Sequence, residues 1–380
     1  MRINSIPNIN RQMHECEPLS FQNTLSNSFR VLVINPGSTS TKIAVYQNDE
    51  PICEHTLYHS TEELARFGNV IEQKDWRREI ILNKLATENI AIDTLSAVIG
   101  RGGLLRPVKS GVYKVNQKMI DELHCCTPQH ASNLGAIIAA GIADACNINA
   151  YIADPIVVDE RAEVAKICGV KEIHSRCIFH ALNQKATARR YAEEIGEHYE
   201  NMNLVVAHMG GGISVAAHEK GVVIDVNNAL DGEGPIAPER AGTLPAGELV
   251  NLCFSGEYTL KQVNSMIVGK AGLVSLTGCN SVKELCDRAQ AGDNQAEMAI
   301  DAMCYTTAKQ IGAMATVLRG NVDAILITGG IANSKFIVEK VSSYCRYIAP
   351  IRVYPGENEL MALAMNAMRV LRGQTQAQDY

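Results

Sequence analysis

Short apolar runs alternate with helical-period segments along the chain, and they do so twice. Residues 31–34 are a continuous Val-Leu-Val-Ile run, Asn35-Pro36-Gly37-Ser38 is turn chemistry, and 42–46 is apolar again, which predicts strand, turn and strand. A third strand is predicted over 52–58. Ser60-Thr61-Glu62-Glu63 reads as a capping box opening a short helix, and 75–88 has helical spacing. A strand at 95–99, a long helix from about Asn133, a strand at 151–154 and a helix beginning near His180 follow. Three strands and then alternating helices and strands predict a mixed sheet with helices on both faces.

The order then restarts. Residues 204–207 predict a strand, His208-Met209-Gly210-Gly211-Gly212 a turn, and 214–218 and 221–226 two more strands. Asn35 and His208 stand at matching places, 173 residues apart. Helices are predicted at 248–254, 259–268, 282–291 and 294–318. The strand 324–328, the turn Gly329-Gly330, a helix beyond Asn333 and a last helix over 357–371 complete the pattern. A repeat of half the chain is too long for a solenoid and predicts two similar α/β domains facing one cleft.

The 380 residues carry 35 Lys plus Arg against 41 Asp plus Glu, a formal charge of −6, which argues against a nucleic-acid or anionic-membrane surface. No stretch reaches the roughly 20 apolar residues of a bilayer span. The 12 cysteines are scattered without a CxxC pair, as expected of a reduced, cytoplasmic chain. Residues 1–29 form a polar leader without an apolar stretch, for which disorder or an early start codon is the expectation.

Candidate chemistry gathers at the turns. Between Asn35 and Lys42 the chain offers backbone N–H groups, four hydroxyls including Ser38 and Ser40, and the Lys42 ammonium, a cradle suited to a phosphate; an ordinary Ser/Thr hairpin turn fits the same letters. No Walker A loop is present. Gly210, Gly211 and Gly212 weaken a strand end, which makes sense where a nucleotide phosphate comes close, with His208 able to donate to a phosphoryl oxygen. Gly329-Gly330, followed by Asn333 at a helix start, suits a phosphate or an adenosine. Arg101 and Asp154 end predicted strands, the edge at which open α/β sheets place ligands. His130 and His180 precede helices, where packed or capping roles are commonest. Arg240 lies in the aperiodic, Pro/Gly-interleaved segment 225–242 and is a candidate for neutralising transition-state charge.

Taken together, the motifs 34–42, Gly100-Arg101-Gly102-Gly103, His130-Ala131-Ser132-Asn133-Leu134-Gly135, 179–185, 207–214, 225–240 and Tyr354-Pro355-Gly356-Glu357 resemble the acetate kinase family of the acetate kinase, sugar kinase and actin superfamily. The resemblance runs from about Arg30 to Arg372. It implies two duplicated ribonuclease H-like, actin-like ATPase domains with a cleft between them: 30–183 plus 360–380 on the acid side, and 184–359 on the nucleotide side. It also implies phosphoryl transfer from ATP to butyrate or a related short-chain or branched carboxylate, with magnesium, giving ADP and an acyl phosphate. Asn35, Ser38, Ser40 and Lys42 would form one phosphate loop, and His208 with Gly210, Gly211 and Gly212 the other. Arg101, His130, His180 and Arg240 would surround the acid and the transferring group. Asp154 and Glu359 would serve the magnesium, with Glu357 the competing choice, and Gly329, Gly330 and Asn333 the adenosine. A homodimer or larger assembly is implied, with no nucleic-acid or membrane partner. One departure is Gly278-Cys279-Asn280-Ser281, where the family typically carries Gly-Thr-Asn-Asp. A kinase acting on a sugar or polyol hydroxyl, or a nucleotide-binding protein with little turnover, remains open at this level.

Overall fold

The computed structural model describes residues 28–127 and 129–380, so most of the polar leader lies outside the described residues. Six strands, β1 (Arg30–Pro36), β2 (Ser40–Gln47), β3 (Glu50–Tyr58), β4 (Ala97–Arg101), β5 (Val112–Lys114) and β6 (Asn149–Ala153), form one sheet in the order β3-β2-β1-β4-β6-β5. Five more, β7 (Asn203–Met209), β8 (Ile213–Glu219), β9 (Val222–Val226), β10 (Ala324–Gly329) and β11 (Ile351–Pro355), form a second in the order β11-β10-β7-β8-β9. The two sheets follow one path. In each, the first three strands make an antiparallel meander, and the next two add in parallel beside the first. The duplication read from the turns is therefore a duplication of topology.

The helices are α1 (Thr61–Leu64), α2 (Lys74–Thr87), α3 (Gln117–Cys125), α4 (Asn133–Cys146), α5 (Ala181–Glu194), α6 (Ala246–Cys253), α7 (Leu260–Ile267), α8 (Leu273–Thr277), α9 (Val282–Gln290), α10 (Asn294–Val317), α11 (Lys335–Cys345) and α12 (Glu359–Leu371). None among the described residues is long and apolar enough to cross a membrane. Because helices cover both faces of the sheets, β1 and β7 are buried along nearly their whole length and read as unbroken apolar runs. The edge strand β3 instead alternates between exposed and half-buried positions.

Two contacts position the cleft. A Cβ on Gly100 would lie 2.2 Å from the Gly135 carbonyl oxygen, so glycines let α4 rest backbone-on-backbone against β4. That contact sets Arg101, the last residue of β4, near the start of α4. The second contact is between α5 and α12. Helix α5 packs on β7 and β10 of the second sheet, α12 packs on β1, β4 and β6 of the first, and the two helices touch.

Short elements escape the periodicity: β5, α8 and β11 have too few residues, or too mixed a burial, to show a period, whereas α3 was missed although Met119 and Leu123 form a buried stripe. Ser60 makes the full predicted capping box with Glu63. Ser281 forms only half of one, accepting from the Glu284 N–H at 3.3 Å.

Candidate active site

The turn between β1 and β2 is held from behind by a residue that the sequence reading missed. Arg77, on α2, is 1% exposed and has no carboxylate partner among the described residues; burial pushes its pKa down to about 10. It donates instead to the carbonyls of Gly37 (2.9 Å), Ser40 (3.1 Å) and Ser38 (3.2 Å), and to Thr41 Oγ1 (3.0 Å). In a trans peptide the N–H points opposite to the C=O. With the Gly37 and Ser38 carbonyls turned back to Arg77, the N–H groups of Ser38 and Thr39 face outward, where an anion can meet them. The signal was present: Arg77 stands on the stripe of Ile81 and Leu85, a charged residue at a core position of the helical period.

The turn between β7 and β8 is built differently. Gly210 N–H bonds the Gly212 carbonyl at 3.0 Å, and a Cβ on Gly210 would stand 3.1 Å from His208 Nε2 and 3.5 Å from Glu357 Oε1. A Cβ on Gly211 would meet nothing within 4 Å, and Gly211 has no positive φ. Gly211 is thus dispensable for the fold, and its bare backbone faces an open cleft of about 810 Å³ lined also by Gly330, Asn333, Phe336 and Glu357. Gly329 serves packing instead. With φ +90° it exchanges hydrogen bonds with Gly356, and any Cβ there would strike the Met209 carbonyl at 2.3 Å.

One segment joins the two turns. Ahead of α12, Glu357 Oε1 lies 3.8 Å from His208 Nε2. Glu359, at the start of α12, accepts from Asn35 Nδ2 (2.7 Å) and from Arg101 Nη1 (3.0 Å). Burial and the Glu359 charge raise the pKa of Glu357, while Lys42 and Arg101 act in the opposite direction. Residues of the first turn and of the second therefore meet across a single stretch of chain.

Hydrogen bonds assign the protons of the central histidines. Asn183 Nδ2 donates to the Glu357 carbonyl at 2.6 Å, which orients the amide so that its Oδ1 accepts from His208 Nδ1 at 2.7 Å. Burial, the neighbouring His180 and Arg101 keep His208 neutral, so its buried, partnerless Nε2 carries a lone pair. In this state the ring donates to a phosphoryl oxygen, as expected from the sequence, only after taking a second proton.

His180 lies stacked on His208, with ring centroids 3.8 Å apart. Its Nδ1 meets Ser214 Oγ at 2.8 Å, and that hydroxyl already accepts from Gln184 Nε2 at 2.8 Å. Gln184 Oε1 accepts from His218 Nε2 (3.1 Å), leaving His218 Nδ1 to receive the Tyr199 hydroxyl (2.7 Å). The buried chain is polarised in one direction, so the Ser214 proton goes to His180 Nδ1 and an N–H remains at His180 Nε2.

The positive side of the site is Arg101, Arg240 and Lys42. Both Arg101 and Arg240 depress the pKa values of His130 and His180, after burial as the main cause in each. Arg240 Nε is buried without a partner beside Gly212, and burial lowers the pKa of the guanidinium. Its loop is closed by Gly272, where a Cβ would stand 1.8 Å from the Ala237 carbonyl and 2.5 Å from that of Arg240. His130 bonds Ser132 Oγ at 2.7 Å.

Asp154, at φ +38°, accepts from Ser110 Oγ (2.5 Å) and the Gly111 N–H (2.9 Å). Its Oδ2 is buried without a hydrogen bond, 3.6 Å from Arg189 Nη1. Asp154, Arg101, His180, Asn183 and Glu359 line one small cavity. Among the described residues no group of three or more His, Cys, Asp or Glu is placed to hold a metal by itself.

A model of the acetokinase family matches residues 166–356. A probable butyrate kinase of Clostridium botulinum (strain Alaska E43 / Type E3) is 51% identical over 354 residues, covering 93% of this chain and 100% of that protein. Butyrate kinase 2 of Clostridium acetobutylicum is 51% identical over 353 residues, covering 93% and 99%. The chain belongs to the acetokinase family. The fold is likewise that of the family's solved structures. Porphyromonas gingivalis acetate kinase superposes with a TM-score of 0.73 at 20% identity, over 90% of this chain and 100% of that one. A propionate kinase from Francisella tularensis gives 0.70 at 18% identity, over 88% and 98%. The mixed α/β fold with two sheets of one topology, expected from the resemblance, is thereby shared with these kinases.

The neutral histidines have a measurable consequence. Burial, with Arg77, holds His59 down to about 4; His180 is held down to about 3, and His208 and His218 well below their ordinary 6.5. Unfolding restores the ordinary value, so below about pH 6.5 the unfolded chain binds protons that the native one refuses. Stability is therefore fully present above that pH and falls as the pH drops toward 4, by up to about 1.4 kcal/mol per histidine per pH unit. Urea midpoints of this acetokinase should be flat at neutral pH and decline steeply on acidification, and a level profile down to about pH 5 would contradict the assignment.

Proposed function

We propose that this acetokinase transfers the γ-phosphoryl group of ATP to a short-chain carboxylate, giving ADP and an acyl phosphate, with butyrate or a related short or branched acid as acceptor. The observation that carries the reading is the meeting of both turns on the segment from Glu357 to Glu359, which lets one triphosphate touch both halves of the molecule. Full-length identity of 51% to proteins called butyrate kinases supports the acid over a sugar. The chemistry agrees. A carboxylate is already ionised at neutral pH and needs no general base, and the site presents cations and N–H donors around neutral imidazoles.

In this reading the N–H groups beside Ser38, with Ser40 and Lys42, hold the terminal phosphate from one side, and Gly210, Gly211 and Gly212 hold the chain of phosphates from the other. Gly330 and Asn333 lie at the adenosine. Arg101 and Arg240 bracket the transferring group, and His180 donates from Nε2. The incoming phosphate charge favours a second proton on His208, which then donates as well. His130 borders the acid. The residues also suit magnesium, which keeps several waters and needs only one or two carboxylates. The Glu359 carboxylate and the orphaned Asp154 Oδ2 would hold it or its waters. When bound, the ion supplies charge neutralisation between the β and γ phosphates.

The domain division 30–183 with 360–380, and 184–359, goes with this account, supported by α12 packing on the first sheet and α5 on the second. So does a homo-oligomer without nucleic-acid or membrane partners. A cytoplasmic location also fits, since the cysteines among the described residues are free thiols.

Hydroxylamine trapping across C2 to C6 acids tests the reaction. Acid-dependent hydroxamate with a maximum near butyrate supports it; ADP release with sugars but not acids overturns it. Gly211→Ala tests the cradle separately. Stability should stay within about 0.5 kcal/mol of the parent, while the KM for ATP rises about 10-fold or more as the methyl group blocks the approach of the phosphate. An unchanged KM would remove Gly211 from the nucleotide site.

A further inference from the structure

Behind the cleft, a second cavity of about 460 Å³ runs between α5 and α12. One end is formed by Asn183 and Glu357, the residues that hold His208; the other is lined by Arg189 and Arg190 of α5, by Arg369 of α12 and by Arg372 just past its end. Two of these guanidiniums are already paired, Arg190 with Glu194 (2.8 Å) and Arg372 with Asp49 (2.9 Å). The other two are less closely paired. Among the described residues Arg189 reaches Asp154 at 3.6 Å and stands over the Tyr199 ring, 5.9 Å from its centroid, while its Nε is buried without a hydrogen-bond partner. Arg369 is half-buried and repelled by Arg189, with Glu200, Asp154 and Glu193 acting on it without forming an ion pair. Met361 and Met365 add an apolar wall.

We propose that this groove, which shares Asn183 and Glu357 with the catalytic cleft, is a second ligand site that binds a phosphate monoester between Arg189 and Arg369. Two guanidiniums without a close ion pair among the described residues can meet a phosphate dianion with their planar forks, opposed by the Glu193 carboxylate that lines the same cavity. The methionine wall takes the organic part. Arg189 sits on the helix that packs on the second sheet, and Arg369 on the helix that packs on the first. A dianion held by both therefore clamps the two halves together. At 1.5 Å per residue, Arg189 is about 9 Å along α5 from Asn183, and Arg369 about 15 Å along α12 from Glu359. The clamp thus acts on helices whose first turns carry the site.

Calorimetric titration of the full chain with inorganic phosphate and with phenyl phosphate tests the site without reference to turnover. Phenyl phosphate should bind saturably, at least about 10-fold more weakly in Arg369→Gln and with unchanged affinity in Arg240→Gln, whose substitution lies in the cleft. Arg369→Lys, which keeps the charge, should retain part of the affinity and guards against a folding defect in the glutamine variant. Equal affinity for inorganic phosphate, also lost in Arg369→Gln, supports the site and assigns it to the free ion. Absence of saturable binding, or binding lost in Arg240→Gln and intact in Arg369→Gln, overturns the proposal.

Discussion

Arg240→Ala should lower kcat by about 10³-fold or more while leaving the unfolding midpoint nearly unchanged. The guanidinium is held in place by its loop, with Gly272 allowing the loop to close, and among the described residues it makes no ion pair that its loss would break. Its Nε is buried and partnerless, which costs stability and makes sense where the group meets a charge that arrives with substrate. Cations at a transferring phosphoryl are worth about 10³ to 10⁵ in rate. Because that charge is greatest in the transition state, the loss should fall on kcat more than on KM. Steady-state kinetics decides it. A loss confined to KM would make Arg240 a binding residue, and near-normal turnover would remove it from the mechanism.

Arg77→Met should destabilise the protein by about 3–5 kcal/mol and weaken ATP binding together, although Arg77 faces away from the cleft. Methionine keeps much of the volume but none of the donors. The Gly37, Ser38 and Ser40 carbonyls would be left without their charged partner, at about 1–3 kcal/mol for each that stays buried. Those same bonds aim the Ser38 and Thr39 N–H groups outward, so the cradle should loosen with the fold. Urea unfolding and a nucleotide titration measure the two effects. A destabilised variant with unchanged ATP affinity would show that Arg77 supports the sheet alone.

Much of the architecture was legible because its signals are local. Buried central strands read as apolar runs, the turns carry Gly, Asn and Ser, and the matching places of Asn35 and His208 disclosed the duplication. The candidate residues at strand ends, Arg101 and Asp154, followed from the sheet class. What stayed hidden depends on contacts across the chain. Asn35 meets Glu359 at a separation of 324 residues, and no spacing shows that Glu357 faces His208 while Glu359 faces Arg101. Helix α5 hides its burial in polar letters. Gln184 and Lys185 look like solvent positions, yet both are buried, Gln184 in the histidine chain and Lys185 against Glu160 at 2.6 Å. The proton positions were equally out of reach, since the state of His208 depends on how the Asn183 amide is turned.

In the proposed reaction a carboxylate oxygen attacks the γ-phosphorus of an ATP held by both turns, and ADP leaves. Butyrate labelled with ¹⁸O in both carboxylate oxygens tests it directly. Hydroxylamine cleaves the acyl carbon–oxygen bond of the trapped product, so the bridging oxygen leaves with phosphorus. The account predicts one ¹⁸O in each phosphate released, as measured by mass spectrometry; unlabelled phosphate would mean that water had taken the phosphoryl group, and would contradict it.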